Sequence, residues 1–96
     1  MKILAIEKEV KGVKEKDFTK EILKKEAKRA WKLCQNGTIR EMYFTEENNL
    51  AVLILETVSK KEAAKFLNKL PLVKNRLIAF NIYSLLPYNG FERLFK

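Results

Sequence analysis

The sequence predicts an α+β fold with elements in the order βαββαβ, and three observations carry that prediction. Four short runs rich in aliphatic or aromatic residues occur near both ends and in the middle of the chain. Two stretches between them switch to the three- and four-residue apolar spacing of an amphipathic helix. At 96 residues, the chain has length for a single domain spanning 1–96. Two βαβ-like halves of this kind fold into the ferredoxin-like arrangement, one four-stranded antiparallel sheet with both helices on one face.

The first run, Lys2 to Lys8, is a short aliphatic strand, and the polar stretch up to Asp17 reads as a loop. From about Phe18 to Asn36 the period becomes helical: Leu23, Ala27, Ala30, Trp31 and Cys34 share one face, while Lys24, Lys28 and Lys32 fall on another. Asp17 or Thr19 caps the start and Asn36-Gly37 ends it. On this reading Trp31 is a helix–sheet contact and Cys34 a buried structural thiol.

Thr38 to Phe44 is the second strand, Thr45 to Asn49 a turn by composition, and Leu50 to Thr57 a third strand apolar enough to be covered on both faces. Strands two and three form a hairpin. Ser59 and Glu62 have capping-box spacing ahead of a second helix, with Ala63, Phe66, Leu67 and Leu70 on its apolar face and Pro71 as its stop. Leu77 to Leu86 is the fourth strand, with Ile78, Phe80 and Ile82 facing one way and Ala79, Asn81 and Tyr83 the other. Pro87 ends it, and the tail beyond still carries Tyr88, Phe91, Leu94 and Phe95.

Two helices cover one sheet face only. The third strand is too apolar on its other side to meet water, and the tail adds aromatics. Apolar surface of that extent marks an interface, so two sheets are expected to pack face to face as a homodimer, or a higher even-numbered oligomer, with a small-molecule pocket between them.

The net charge of +8 comes from 20 basic and 12 acidic residues. Sixteen of the basic residues are Lys and four are Arg, so the excess reads as solvated helix faces more than a phosphate-reading surface. RNA-recognition motifs share the βαββαβ order, but they stack bases on strand aromatics, and strands one and three have none, which makes a nucleic-acid partner an unfavoured reading. No run reaches the length of a membrane span or a signal peptide, so a cytoplasmic protein without membrane contact is expected.

With no His and one Cys, there are no Ser-His-Asp or Cys-His arrangements and no ligand set for a redox metal. A phosphate loop, CxxC pairs and HExxH are missing too, so no metal or cofactor is expected. Acid–base work falls to Glu, Asp, Lys or Tyr.

The opening MKILAIEKEV, the stretch from Trp31 through Gly37-Thr38-Ile39-Arg40-Glu41, the strand AVLILE, Leu70-Pro71-Leu72-Val73, and Leu86-Pro87-Tyr88-Asn89-Gly90-Phe91 resemble the muconolactone delta-isomerase-like family of the dimeric α+β barrel superfamily. The resemblance spans nearly the whole chain and rests on fold-defining residues. It implies a face-to-face dimer with a sheet-lined pocket.

Isomerising a lactone needs a base beside a carbonyl and a donor or cation for the developing enolate. Arg40 is the candidate anion holder, with a surface salt bridge as its alternative role. Glu7 and Glu56 follow apolar runs near strand ends, where partial burial would raise their pKa for proton transfer. On a regular second strand, Arg40 and the pair Glu41 and Tyr43 face opposite ways. Asn81 and Tyr83 are candidate substrate hydrogen-bond partners or interface residues, and Tyr88 a residue lying over the partner or lidding the pocket. The reading is a cofactor-independent isomerase or lyase acting on a small anionic or oxygenated compound; the competing one is a non-catalytic ligand-binding or oligomerisation module.

Overall fold

The computed structural model describes residues 1–96. Its strands are β1 (Lys2–Glu9), β2 (Ile39–Phe44), β3 (Ala51–Glu56) and β4 (Ile78–Leu85), and its helices are α1 (Lys20–Gln35), α2 (Lys60–Asn68) and a short α3 (Pro71–Lys74). The strands form one antiparallel sheet in the order β2-β3-β1-β4. This is the α+β, ferredoxin-like arrangement that the sequence predicts.

Local chemistry accounts for the element ends. Thr19, not Asp17, caps α1, its hydroxyl accepting from the Ile22 N–H at 3.2 Å. Asp17 instead closes a single 3-10 turn (Glu15–Asp17) inside the predicted loop by accepting from the Lys14 N–H at 2.8 Å. Gly37 takes φ 83° where the chain turns from α1 into β2, a conformation that costs glycine little. Ser59 Oγ accepts from the Glu62 N–H at 3.1 Å. The Glu62 carboxylate returns one residue earlier than a capping box requires, to the Val58 N–H at 3.3 Å. Pro71 both follows the end of α2 and opens α3 at its first position, where its missing N–H is harmless.

Register sorts the strands into two faces. Ile3, Ala5 and Glu7 of β1 pair with residues that point to the helices: Leu55 and Leu53 of β3, Ile82 and Phe80 of β4. Ile3, Ala5, Ile39, Leu53 and Leu55 join Leu33 of α1, Ala63 and Leu67 of α2, and Leu70 in one buried cluster. Leu4, Ile6, Val52, Ile54, Asn81 and Tyr83 lie on the opposite, open face.

α1 is rotated relative to its predicted packing face. Leu33 is its one buried residue, with Ile22, Glu26, Arg29 and Ala30 half-buried beside it. Trp31 is 64% exposed, which corrects its expected core role. Cys34 is exposed as well, not a buried thiol, with Sγ 3.4 Å from Met42 Sδ on the edge strand. The predicted arc is offset: its Leu23, Ala27 and Ala30 do face the sheet across a cavity, whereas Trp31 and Cys34 turn outward and the charged Glu26 and Arg29 take part of the inward side.

Candidate active site

A cavity of about 320 Å³ lies between the sheet and the helical layer. Ala27 and Ala30 of α1, Met42 and Phe44 of β2, Leu53 of β3 and Phe80 of β4 are among its apolar walls. Its charged lining residues are two carboxylates, Glu7 from β1 and Glu26 from α1. Glu26 accepts from the Leu72 N–H at 2.9 Å, satisfying a donor in the first turn of α3 that has no partner within the helix. Glu7 accepts from the Ala51 N–H, also at 2.9 Å, at the start of β3. Burial pushes the Glu26 pKa up; the Leu72 N–H opposes this, and the like charge of Glu7 adds to it.

The other predicted residues do not reach this cavity. A β-bulge sets Ile39 opposite Leu55 and Glu41 opposite Ile54, leaving Arg40 as the extra residue. The bulge breaks the alternation assumed for a regular strand, so Arg40, Glu41 and Tyr43 come to the open face together. Arg40 Nε donates to the Gly37 carbonyl. The Tyr43 hydroxyl donates to Glu41 Oε1 at 2.7 Å, and this bond raises the Tyr43 pKa. Glu56 lies on the same face, paired with the N-terminal amine of Met1. That hydrogen bond lowers the Glu56 pKa, with smaller contributions from the charges of the amine, Arg40 and Lys2. This reverses the direction expected for Glu56, because the bond to a cation outweighs the opposing effect of desolvation.

Asn81 and Tyr83 also sit on the open face, exposed, at the register positions of Ile6 and Leu4. Tyr88 is in the tail, 69% exposed, edge-on to Phe91 with ring centroids 4.9 Å apart. Within the chain, Glu7 is therefore separated by the sheet from Arg40, Glu56, Asn81 and Tyr83.

No protein-family model matches the chain, and no curated protein does. Among solved structures, the crystal structure of muconolactone isomerase superposes with a TM-score of 0.72 at 16% identity, covering 94% of this chain and 93% of that one. The chain has the muconolactone isomerase fold. No helix is long and apolar enough to cross a membrane.

Within the muconolactone isomerase fold, Glu26 is the residue that sequence reasoning missed. The signal was present: Ile22, Glu26, Arg29, Ala30 and Leu33 are spaced as one helical arc. Two charged members hid that arc from a reading based on apolar periodicity. A carboxyl pKa raised by burial is found at Glu26, whereas that of Glu56 is lowered.

Proposed function

We propose that this protein is a cofactor-independent isomerase or lyase that moves a proton on a small oxygenated or anionic compound, with Glu26 and Glu7 as the acid–base pair. The observation that carries the reading is the placement of two carboxylates on one apolar cavity, one of them with its pKa raised by burial. The muconolactone isomerase fold supports it at the level of architecture.

One carboxylate removes a proton from a carbon next to a carbonyl, giving an enolate or dienolate. The protonated carboxyl of the pair delivers a proton at the other end of the conjugated system. The double bond shifts, the proton inventory is unchanged, and no oxidant or reductant is consumed. Apolar walls keep the field between carboxyl and enolate strong by excluding water.

The active form in this reading is a homodimer, built by covering the open sheet face. The protomer exposes 7619 Å², whereas a monomer of this mass is expected to expose about 5,700 Å². Part of the excess is apolar: Leu86, Tyr88, Phe91, Leu94 and Phe95 are between 67% and 86% exposed. In the pair, Arg40, Asn81 and Tyr83 lie at the seam between sheets, across the sheet from the cavity of Glu7 and Glu26, so their role in this reading is in the interface and not in contact with the substrate.

The test uses small unsaturated γ-lactone acids in D₂O, followed by NMR. Deuterium incorporation at the α or γ carbon above the buffer rate, lost in Glu26→Gln and Glu7→Gln, supports the proposal. Saturable binding with no exchange in any variant would identify a ligand-binding module instead.

A further inference from the structure

We propose that a groove on the helical layer binds a compact multivalent phosphate of the pyrophosphate or tripolyphosphate type. The groove has a volume of about 340 Å³ and is lined by Lys25, Lys28, Arg29 and Lys32 of α1, Lys69 at the end of α2, and Pro71. Its lining includes five cations and no carboxylate.

Such a surface is costly as a simple solvated face. Lys25 and Arg29 are four residues apart, as are Lys28 and Lys32, and like charges at that spacing destabilise a helix. Lys32, in the last turn of α1, and Lys69, at the C-cap of α2, are favourably placed against helix dipoles. Lys25, Lys28 and Arg29, in the body of α1, have no such compensation. One ion pair reaches the groove, the exposed contact of Lys25 with Glu21 at 3.3 Å. Glu26 lies on the same turn but its carboxylate is committed to the Leu72 N–H.

Arg29 supplies an independent observation. Its Nε is buried without an acceptor, an unmet cost within the fold, and no carboxylate pairs with the guanidinium, whose outer nitrogens are thus left uncommitted. A guanidinium fork flanked by lysines suits a phosphate oxygen, and several cations suit several charges. Apart from Pro71 the groove is lined by cationic residues alone, which favours a compact polyanion over an organic monocarboxylate. It lies on the helical layer, away from the open sheet face, so dimerisation through the sheets leaves it free.

Isothermal titration with sodium tripolyphosphate at low ionic strength tests the proposal, with circular dichroism confirming that each variant is folded. One saturable site per chain is expected, weakened at least tenfold by Arg29→Gln and abolished by the double variant Lys28→Glu/Lys32→Glu. Arg29→Lys retains the charge without the fork; it should bind more weakly than wild type, and it substitutes for the Gln variant if that fails to fold. Lys11→Glu/Lys16→Glu makes the same charge change elsewhere and should alter affinity less than twofold. Equal weakening by that control would mean bulk attraction, and the proposal falls. It falls equally if no saturable binding occurs, if Arg29→Gln changes affinity less than twofold, or if a single-stranded oligonucleotide binds the same residues tenfold more tightly.

Discussion

Glu7 of β1 and Glu26 of α1 line the same apolar cavity from opposite layers, and each holds a backbone N–H at 2.9 Å with one carboxylate oxygen. Each carboxylate therefore has a structural bond and a chemical environment, and the two roles are separable by substitution.

Glu26 makes stability depend on pH in a definite direction. Its folded-state pKa is raised from 4.5, so between that value and the raised one the folded chain binds more protons than the unfolded chain. The contribution of Glu26 to stability therefore falls as pH rises through that window. Urea denaturation from pH 4 to 8 should show this downward component in the wild type. Glu26→Gln should remove it, and a wild-type-minus-variant difference that is flat with pH would refute the assignment.

Removing the Glu26 side chain tests the structural bond. Glu26→Ala leaves the Leu72 N–H without its acceptor, at an expected cost of about 1–3 kcal/mol. Glu26→Gln retains an acceptor oxygen and should recover most of that loss. Thermal denaturation at pH 7 compares the two; equal melting temperatures would mean the bond contributes nothing.

A charge on the open sheet face should disrupt the dimer proposed here. Ile54→Asp or Leu4→Asp substitutes a residue that faces away from the helices, so the protomer core is untouched. Sedimentation at tens of micromolar should give half the wild-type mass with an unchanged circular dichroism spectrum. A wild type already sedimenting as a monomer would rule the pairing out.

Core packing gives a contrasting case. Leu67 of α2 is 1% exposed within the main cluster. Leu67→Ala should cost about 2–5 kcal/mol in urea denaturation, through lost burial and the cavity left behind.

The tail is held locally by a glycine. A Cβ at Gly90 would lie 2.0 Å from the Tyr88 hydroxyl oxygen, so Gly90→Ala must displace that ring. The edge-on contact of Tyr88 with Phe91 should be lost, readable as changed ring-current shifts in the aromatic NMR spectrum. Because both rings are largely exposed, global stability should change by less than about 1 kcal/mol.

The amino-acid sequence by itself determined the element order, most element ends and the helix-facing residues of β4. These depend on local periodicity, Thr and Ser caps, Pro71 and Gly37, all of which act within a few residues. It also named Glu7, Arg40 and Glu56 as chemically able groups.

Only the tertiary structure decided which of them meet. The extra residue in β2 brought Arg40 to the same face as Tyr43, and strand register put Glu7 on the other side of the sheet from Glu56. The rotation of α1 brought Glu26 to Glu7 and left Trp31 in solvent. These outcomes depend on pairing and packing between segments distant in the chain, of which the contacts of Glu7 with Ala51 and of Glu26 with Leu72 are two examples, and such contacts leave no local periodicity to read.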